Sequence, residues 1–120
     1  MSYPLRLVLP IPPRELHPNA RPHYRTKARL TRRCRERTRT ETFALQPPRL
    51  RRAVLHVHWF WPDKRPRDTF DACASLKAYI DGMVDGGAIV DDSWQHMSVG
   101  NVSVSVDQKN PRVELTLEAA

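Results

Sequence analysis

Apolar and polar residues alternate over residues 3–9 and again, more densely, over Ala53–Trp61 (AVLHVHWFW). A period of two with β-branched and aromatic side chains predicts a strand in each place. Pro10-Ile11-Pro12-Pro13 ends the first. Residues 14–22 (RELHPNARP) then read as an irregular loop, because Pro18, Asn19 and Pro22 punctuate them. Residues 24–45 contain no proline or glycine and are rich in Arg, Lys, Ala, Glu and Leu, which predicts a helix, although its threonines lower the intrinsic propensity. Its apolar positions Tyr24, Ala28, Leu30, Cys34, Phe43 and Leu45 are sparse, so much of it must face solvent or a polyanion. Gln46-Pro47-Pro48 stops it. A second helix is predicted over residues 70–84, capped by Asp68 or Thr69 and closed by Gly86-Gly87. Two late strands, 99–106 and 112–117, lie on either side of Asn110-Pro111 and are expected to pair as a hairpin. The order β-α-β-α-β-β, free of repeats, predicts one α+β domain over residues 1–120, with a small mixed sheet and two main helices.

Composition narrows this little. At 120 residues, 40% hydrophobic and 28% charged, the chain is an ordinary soluble domain with room for one modest core. Eleven prolines against four glycines is unusual, and the prolines fall mainly before residue 67. The run Leu7-Val8-Leu9 is cut by proline and is neither a signal-peptide core nor a membrane span, and a cytoplasmic location is expected. Cys34 and Cys73 have no CxxC spacing, which argues against a disulfide framework or a zinc site.

Charge changes the picture more. Residues 1–52 carry 14 Arg/Lys against three Glu, a surplus of +11, whereas residues 53–120 carry six against ten acids, or −4; together these give the net +7. Such asymmetry suggests a nucleic-acid footprint at one end and different work at the other. A solubilising basic face is the plainer alternative.

The different work is suggested by Arg67-Asp68-Thr69-Phe70-Asp71, followed by Lys77, Asp81 and Asp91-Asp92. Two carboxylates about 4 Å apart repel by roughly 4 kcal/mol at an effective dielectric near 20. A chain that gathers them usually has a cation to place between them, and hard divalent cations prefer oxygen ligands. An extended return of the chain after the second helix brings Asp91 and Asp92 back toward the helix N-terminus, where Asp68 and Asp71 are expected. Three or four carboxylates meeting there would hold one or two Mg²⁺ ions, with Lys77 within reach of a scissile phosphate. A basic body around such a centre is what a nuclease needs.

Each residue also has a plainer role. Asp68 and Asp71 serve equally as helix caps, Asp91-Asp92 as loop acids, and Lys77 with Asp81 as a surface i, i+4 pair, with Asp85 one step further on. His56 and His58 alternate on a half-exposed strand, where histidines are more often structural or phosphate-facing than catalytic. Trp59 and Trp61 suit the core or a dimer contact better than a base-stacking platform. No Ser or Cys nucleophile constellation and no Gly-rich phosphate loop is visible.

Two stretches, LPIPPRELHPNARPHYRTKAR and RPRDTFDACASLKAYIDGMVDGGAIVDDSWQHM, together resemble the RusA-like Holliday junction resolvases, small endonucleases frequent in phages and prophages. The combination of PP…N…H/Y…K, RD before a helix, K…DG within it and a closing DD carries the resemblance. It implies a homodimeric, Mg²⁺-dependent enzyme, with Mn²⁺ as a possible substitute, that cuts four-way DNA junctions by paired symmetric nicks. It also places metal-binding aspartates at Asp68 and Asp92 with Asp91 beside them, and the family lysine at Lys77. Where the family often has D-x-D-N, this chain has Asp68-Thr69-Phe70-Asp71, so Asp71 is expected to supply the missing oxygen ligand.

The reading that follows is a junction-resolving endonuclease. Asp68, Asp71 and Asp92 are its expected metal ligands, Asp91 supports them and Lys77 stabilises the pentacovalent phosphate. Arg25, Lys27, Arg29, Arg32, Arg33 and Arg67 are expected to contact DNA. No membrane or small-molecule cofactor enters. The alternatives are a catalytically inactive DNA-binding relative, for which the basic helix speaks, and a small RNA-binding or toxin-like module, for which only the charge speaks.

Overall fold

The computed structural model describes residues 3–120. Strand β1 (Leu5–Leu9) leads through a single 3-10 turn (Arg14–Leu16) to helix α1 (Tyr24–Ala44) and strand β2 (Ala53–Trp61). Two helices, α2 (Thr69–Ala74) and α3 (Lys77–Asp85), then precede strands β3 (Met97–Val106) and β4 (Arg112–Ala119). The domain is α+β with one mixed four-stranded sheet in the order β1-β4-β2-β3. Strand β4 runs antiparallel to both β1 and β2, and β3 runs parallel to β2.

Alternation places Leu5, Leu7, Leu9, Leu55, Val57, Trp59, Val113, Leu115 and Leu117 on one buried face of the sheet. Leu76, Tyr79 and Met83 of the helical layer complete the same core. The outer face is polar and cross-linked. Glu114 sits there between Arg6 at 2.6 Å and Arg112 at 2.9 Å, and Arg112 lies 3.7 Å over the Phe60 ring. Burial alone would push the Glu114 carboxyl up, but hydrogen bonds from Arg112 and Arg6 overcome it and hold the group below its ordinary pKa.

Two sequence expectations fail here. The late strands do not form a hairpin, because β2 lies between them, paired to β4 on one side and to β3 on the other. The nine residues of β2 are rich in apolar side chains and need a neighbour at each edge, and the crossover through α2 and α3 delivers β3 parallel to it. Residues 107–111 then pass the end of β2, where Asp107 N donates to Trp61 O at 2.8 Å. The second helix is also not continuous. Ser75 Oγ donates to Ala72 O at 2.5 Å, the next residue is the buried Leu76, and the axis restarts at Lys77. A serine bonded back to its own helix is a recognised cause of such bends.

Helix α1 buries only Cys34, Thr38 and Thr42, one turn apart. Against them lie Gly82 and Gly86 of the α3 segment, also one turn apart. A Cβ on Gly82 would stand 2.5 Å from Thr38 Cβ, and one on Gly86 would stand 2.6 Å from Thr42 Cβ. These glycines let the two backbones approach closely, so the Asp-Gly pair at 81–82 has a packing explanation independent of chemistry. Among the described residues, no helix is long and apolar enough to cross a membrane.

Candidate functional site

The proline-punctuated loop after β1, the end of β2 and the start of α2 enclose an open cleft of about 580 Å³. Its apolar walls include Pro12, Pro13 and Trp61, and its polar groups include His17, Asn19, Asp68 and Asp71. The side chain of Asp68 caps α2, accepting from Asp71 N at 3.0 Å. Asn19 Nδ2 donates to Asp71 Oδ2 at 3.5 Å, across 52 positions of sequence. Asn19 is itself held by His17, whose Nδ1 accepts from Asn19 N at 3.1 Å. The two stretches that carry the sequence resemblance therefore meet at one place. Phe70 does not line the cleft and is 86% exposed, whereas Asp71, the next residue, does line it.

Arg67 borders the same cleft, but its guanidinium is already engaged. It lies 4.4 Å over the Trp61 ring and donates to Asp63 Oδ1 at 2.9 Å, to Asp63 O at 3.3 Å and to Arg65 O at 3.0 Å. These bonds brace the loop after β2. The indole of Trp61 is in turn stacked on the buried Trp59 with centroids 4.6 Å apart. Trp59 is a core residue, and neither face of Trp61 is left open as a platform.

The remaining acids form a second group. Lys77 opens α3, and its ammonium contacts both the Asp92 carboxylate and, at 3.0 Å, Asp81. Asp92, and after it Asp81, raises the Lys77 pKa above its ordinary value. Arg35 of α1 extends the network, donating to Asp85 from Nε at 2.5 Å and from Nη2 at 2.9 Å, and standing 3.8 Å from Asp81. Asp91 is exposed, and the hydroxyl of Ser93 beside it holds its carboxyl below the usual carboxylate range. The chain after α3 does return, as expected, but to the start of α3 rather than to the start of α2.

The two acidic groups stay apart. Among the described residues, no three His, Cys, Asp or Glu side chains stand close enough together to hold one ion. The structure pairs Asp68 with Asp71, and Asp92 with Lys77 and Asp81, without joining Asp91 or Asp92 to the first pair. For the first pair the donor chemistry still suits Mg²⁺. Two carboxylates and an asparagine amide beside an open cleft match an ion that uses one or two protein carboxylates and keeps several waters.

The cations predicted on the first helix are displayed as its pattern requires. Arg25, Lys27, Arg29, Arg32 and Arg33 are all exposed, and among the described residues none forms an ion pair with a carboxylate. Farther along, Arg35 and Arg37 are paired with acids. The free row begins at Arg25, five residues after Ala20, which lines the cleft. His56 and His58 lie on the outer face of the sheet, bonded to Glu118 at 3.2 Å and Ser105 at 2.8 Å, away from the cleft lining. Sequence reading left His17 and Asn19 out of the site. The signal was present in the PNA segment between prolines, since a loop fixed that tightly often positions a side chain. Compared with known proteins, the chain matches no protein-family model and no curated protein.

Proposed function

We propose that this protein is a Mg²⁺-dependent, structure-specific endodeoxyribonuclease of the RusA-like kind, acting as a homodimer to resolve Holliday junctions by paired symmetric nicks. The observation that carries the reading is the meeting of Asn19, Asp68 and Asp71 in one cleft, whose lining residue Ala20 lies five residues before a row of cations that, among the described residues, have no carboxylate partner. In this reading Asp68 and Asp71 hold the ion and Asn19 orients Asp71. Bound there, Mg²⁺ (or Mn²⁺ in its place) supplies Lewis-acid polarisation of the phosphodiester and lowers the pKa of water. Arg25, Lys27, Arg29, Arg32 and Arg33 bind the phosphates of the junction arms. Lys77 reaches a phosphate by exchanging one of its two carboxylate partners for it, and Asp92 keeps the ammonium charged and placed until then. Asp91 supports that loop from its exposed position. Two copies related by a two-fold axis present one cleft to each of two like strands.

A second reading, a catalytically inactive DNA-binding relative, is favoured by one observation. The cation row is intact, while among the described residues no three acids share a site. A gel assay with a synthetic four-way junction separates the two. The first reading expects tight binding in EDTA, preference for the junction over linear duplex, and paired nicks once Mg²⁺ is added. Binding without nicking at any Mg²⁺ or Mn²⁺ concentration supports the second.

A further inference from the structure

The two edges of the sheet differ sharply. Strand β1 is five residues long and is flanked by Pro4 and Pro10, which cannot donate to another strand. Strand β3 forms the opposite edge, is ten residues long and contains neither a proline nor a charged residue, in a chain that carries a net +7. Such a strand spans roughly 33 Å at its ordinary rise. Short length, proline and charge are usual means of blocking edge-to-edge pairing, and β3 has none of them; its register against β2 shifts once, between Val99 and Val102, and Val102–Val106 beyond that shift runs regularly.

Its side chains add to this. The register places Val99 beside Leu55, Val102 beside Val57, Val104 beside Trp59 and Val106 beside Trp61. These valines therefore share the face that the helices cover over the rest of the sheet. Yet Val99 is 62% exposed, Val102 37%, Val104 60% and Val106 49%, so the helical layer ends before it reaches β3. Trp94, 85% exposed three residues before the strand, extends the apolar surface.

We infer that β3 is the surface through which two copies of this chain associate, pairing antiparallel about a two-fold axis to make one eight-stranded sheet. A second copy is the occupant that the charge pattern selects. Two chains of net +7 repel each other over most of their surfaces, and β3 is a long strip where like charges do not meet. A nucleic acid or an acidic peptide is drawn instead to the cation row of α1. Antiparallel self-pairing about an axis near Ser103 sets Val102 of one protomer opposite Val104 of the other, so the valine stripes pack side by side across the seam while the free backbone groups pair. Assembly stops at two, because the edges left at either end are the proline-flanked β1 strands. The inference names the interface for the homodimer in the proposed function, and its test uses no DNA.

The experiment is sedimentation velocity with the whole protein over a wide concentration range. Wild type is expected at twice the 13.9 kDa chain mass. Val104→Lys puts a charge at an exposed position of the strand and is expected to sediment as a monomer with an unchanged circular dichroism spectrum. Val8→Lys, at an exposed position of the other edge strand, is expected to remain a dimer. A monomeric wild type, a polydisperse aggregate, or a Val104→Lys protein that still dimerises overturns the inference. A dimer that never nicks junctions defeats the nuclease reading alone, and a monomer that nicks them defeats the interface alone.

Discussion

Asp68 does two jobs in this account, and they can be separated. Its carboxylate caps α2 by accepting the Asp71 amide, and a cap of this kind contributes about 1 kcal/mol. Asn caps nearly as well as Asp, but it carries no negative charge. Asp68→Ala is therefore expected to lower stability by about 1 kcal/mol, and Asp68→Asn by only a few tenths, as read from chemical denaturation. If the two variants are equally destabilised, the cap is not what holds the residue in place. That Asp68 would cap a helix was legible in the sequence, because the signal is local. The pairing of Lys77 with both Asp81 and Asp92 was only half legible. The i, i+4 step to Asp81 follows from helix geometry, whereas the contact with Asp92 depends on where a loop of seven residues runs after α3. The bracing of Arg67 against Trp61 and Asp63 was hidden for the same reason.

Among the elements, α1 and β2 were read to within a residue, since α1 is a long run without proline or glycine, β2 alternates, and each has a proline-rich end. The strand order was not legible. Asn110-Pro111 signals a turn equally well whether the flanking strands pair or are separated by a third, and only the demand of β2 for two neighbours decides it. The break at Ser75 was hidden because serine is tolerated in helices, and its effect here comes from one hydrogen bond to Ala72. The contact of α1 with α3 yields the sharpest prediction at this scale. The backbones are close enough that a Cβ at Gly82 would lie 2.6 Å from Arg35 O as well as against Thr38. Neither helix can yield without moving the other. Gly82→Ala gains helix propensity but is expected to lose roughly 1–3 kcal/mol from overpacking, measured by thermal or chemical denaturation. A stability equal to wild type would mean that the helices separate freely.

For the whole molecule, the separation of charge was plain from the sequence and has a structural counterpart. Among the described residues, Arg25, Lys27, Arg29, Arg32 and Arg33 of α1 have no carboxylate partner, while most of the acids of the second half are tied to basic partners. What the sequence could not show is the distance between Asp68-Asp71 and Asp91-Asp92, which depends on the helix break and the loop together. The outcome is a two-carboxylate cleft rather than a four-carboxylate cage, and the proposed chemistry rests on that smaller site. Catalysis through it predicts a clear dependence on the charge at Asp68. Loss of a metal-binding charge removes several kcal/mol of transition-state stabilisation, or about two orders of magnitude or more in rate. The most direct measurement is single-turnover nicking of a synthetic four-way junction in Mg²⁺ by wild type and Asp68→Asn at equal, saturating occupancy. The account predicts paired nicks by wild type and, for Asp68→Asn, unchanged junction binding with at least a hundredfold slower cutting. A wild type that does not cut, or an Asp68→Asn protein that cuts as fast, contradicts it.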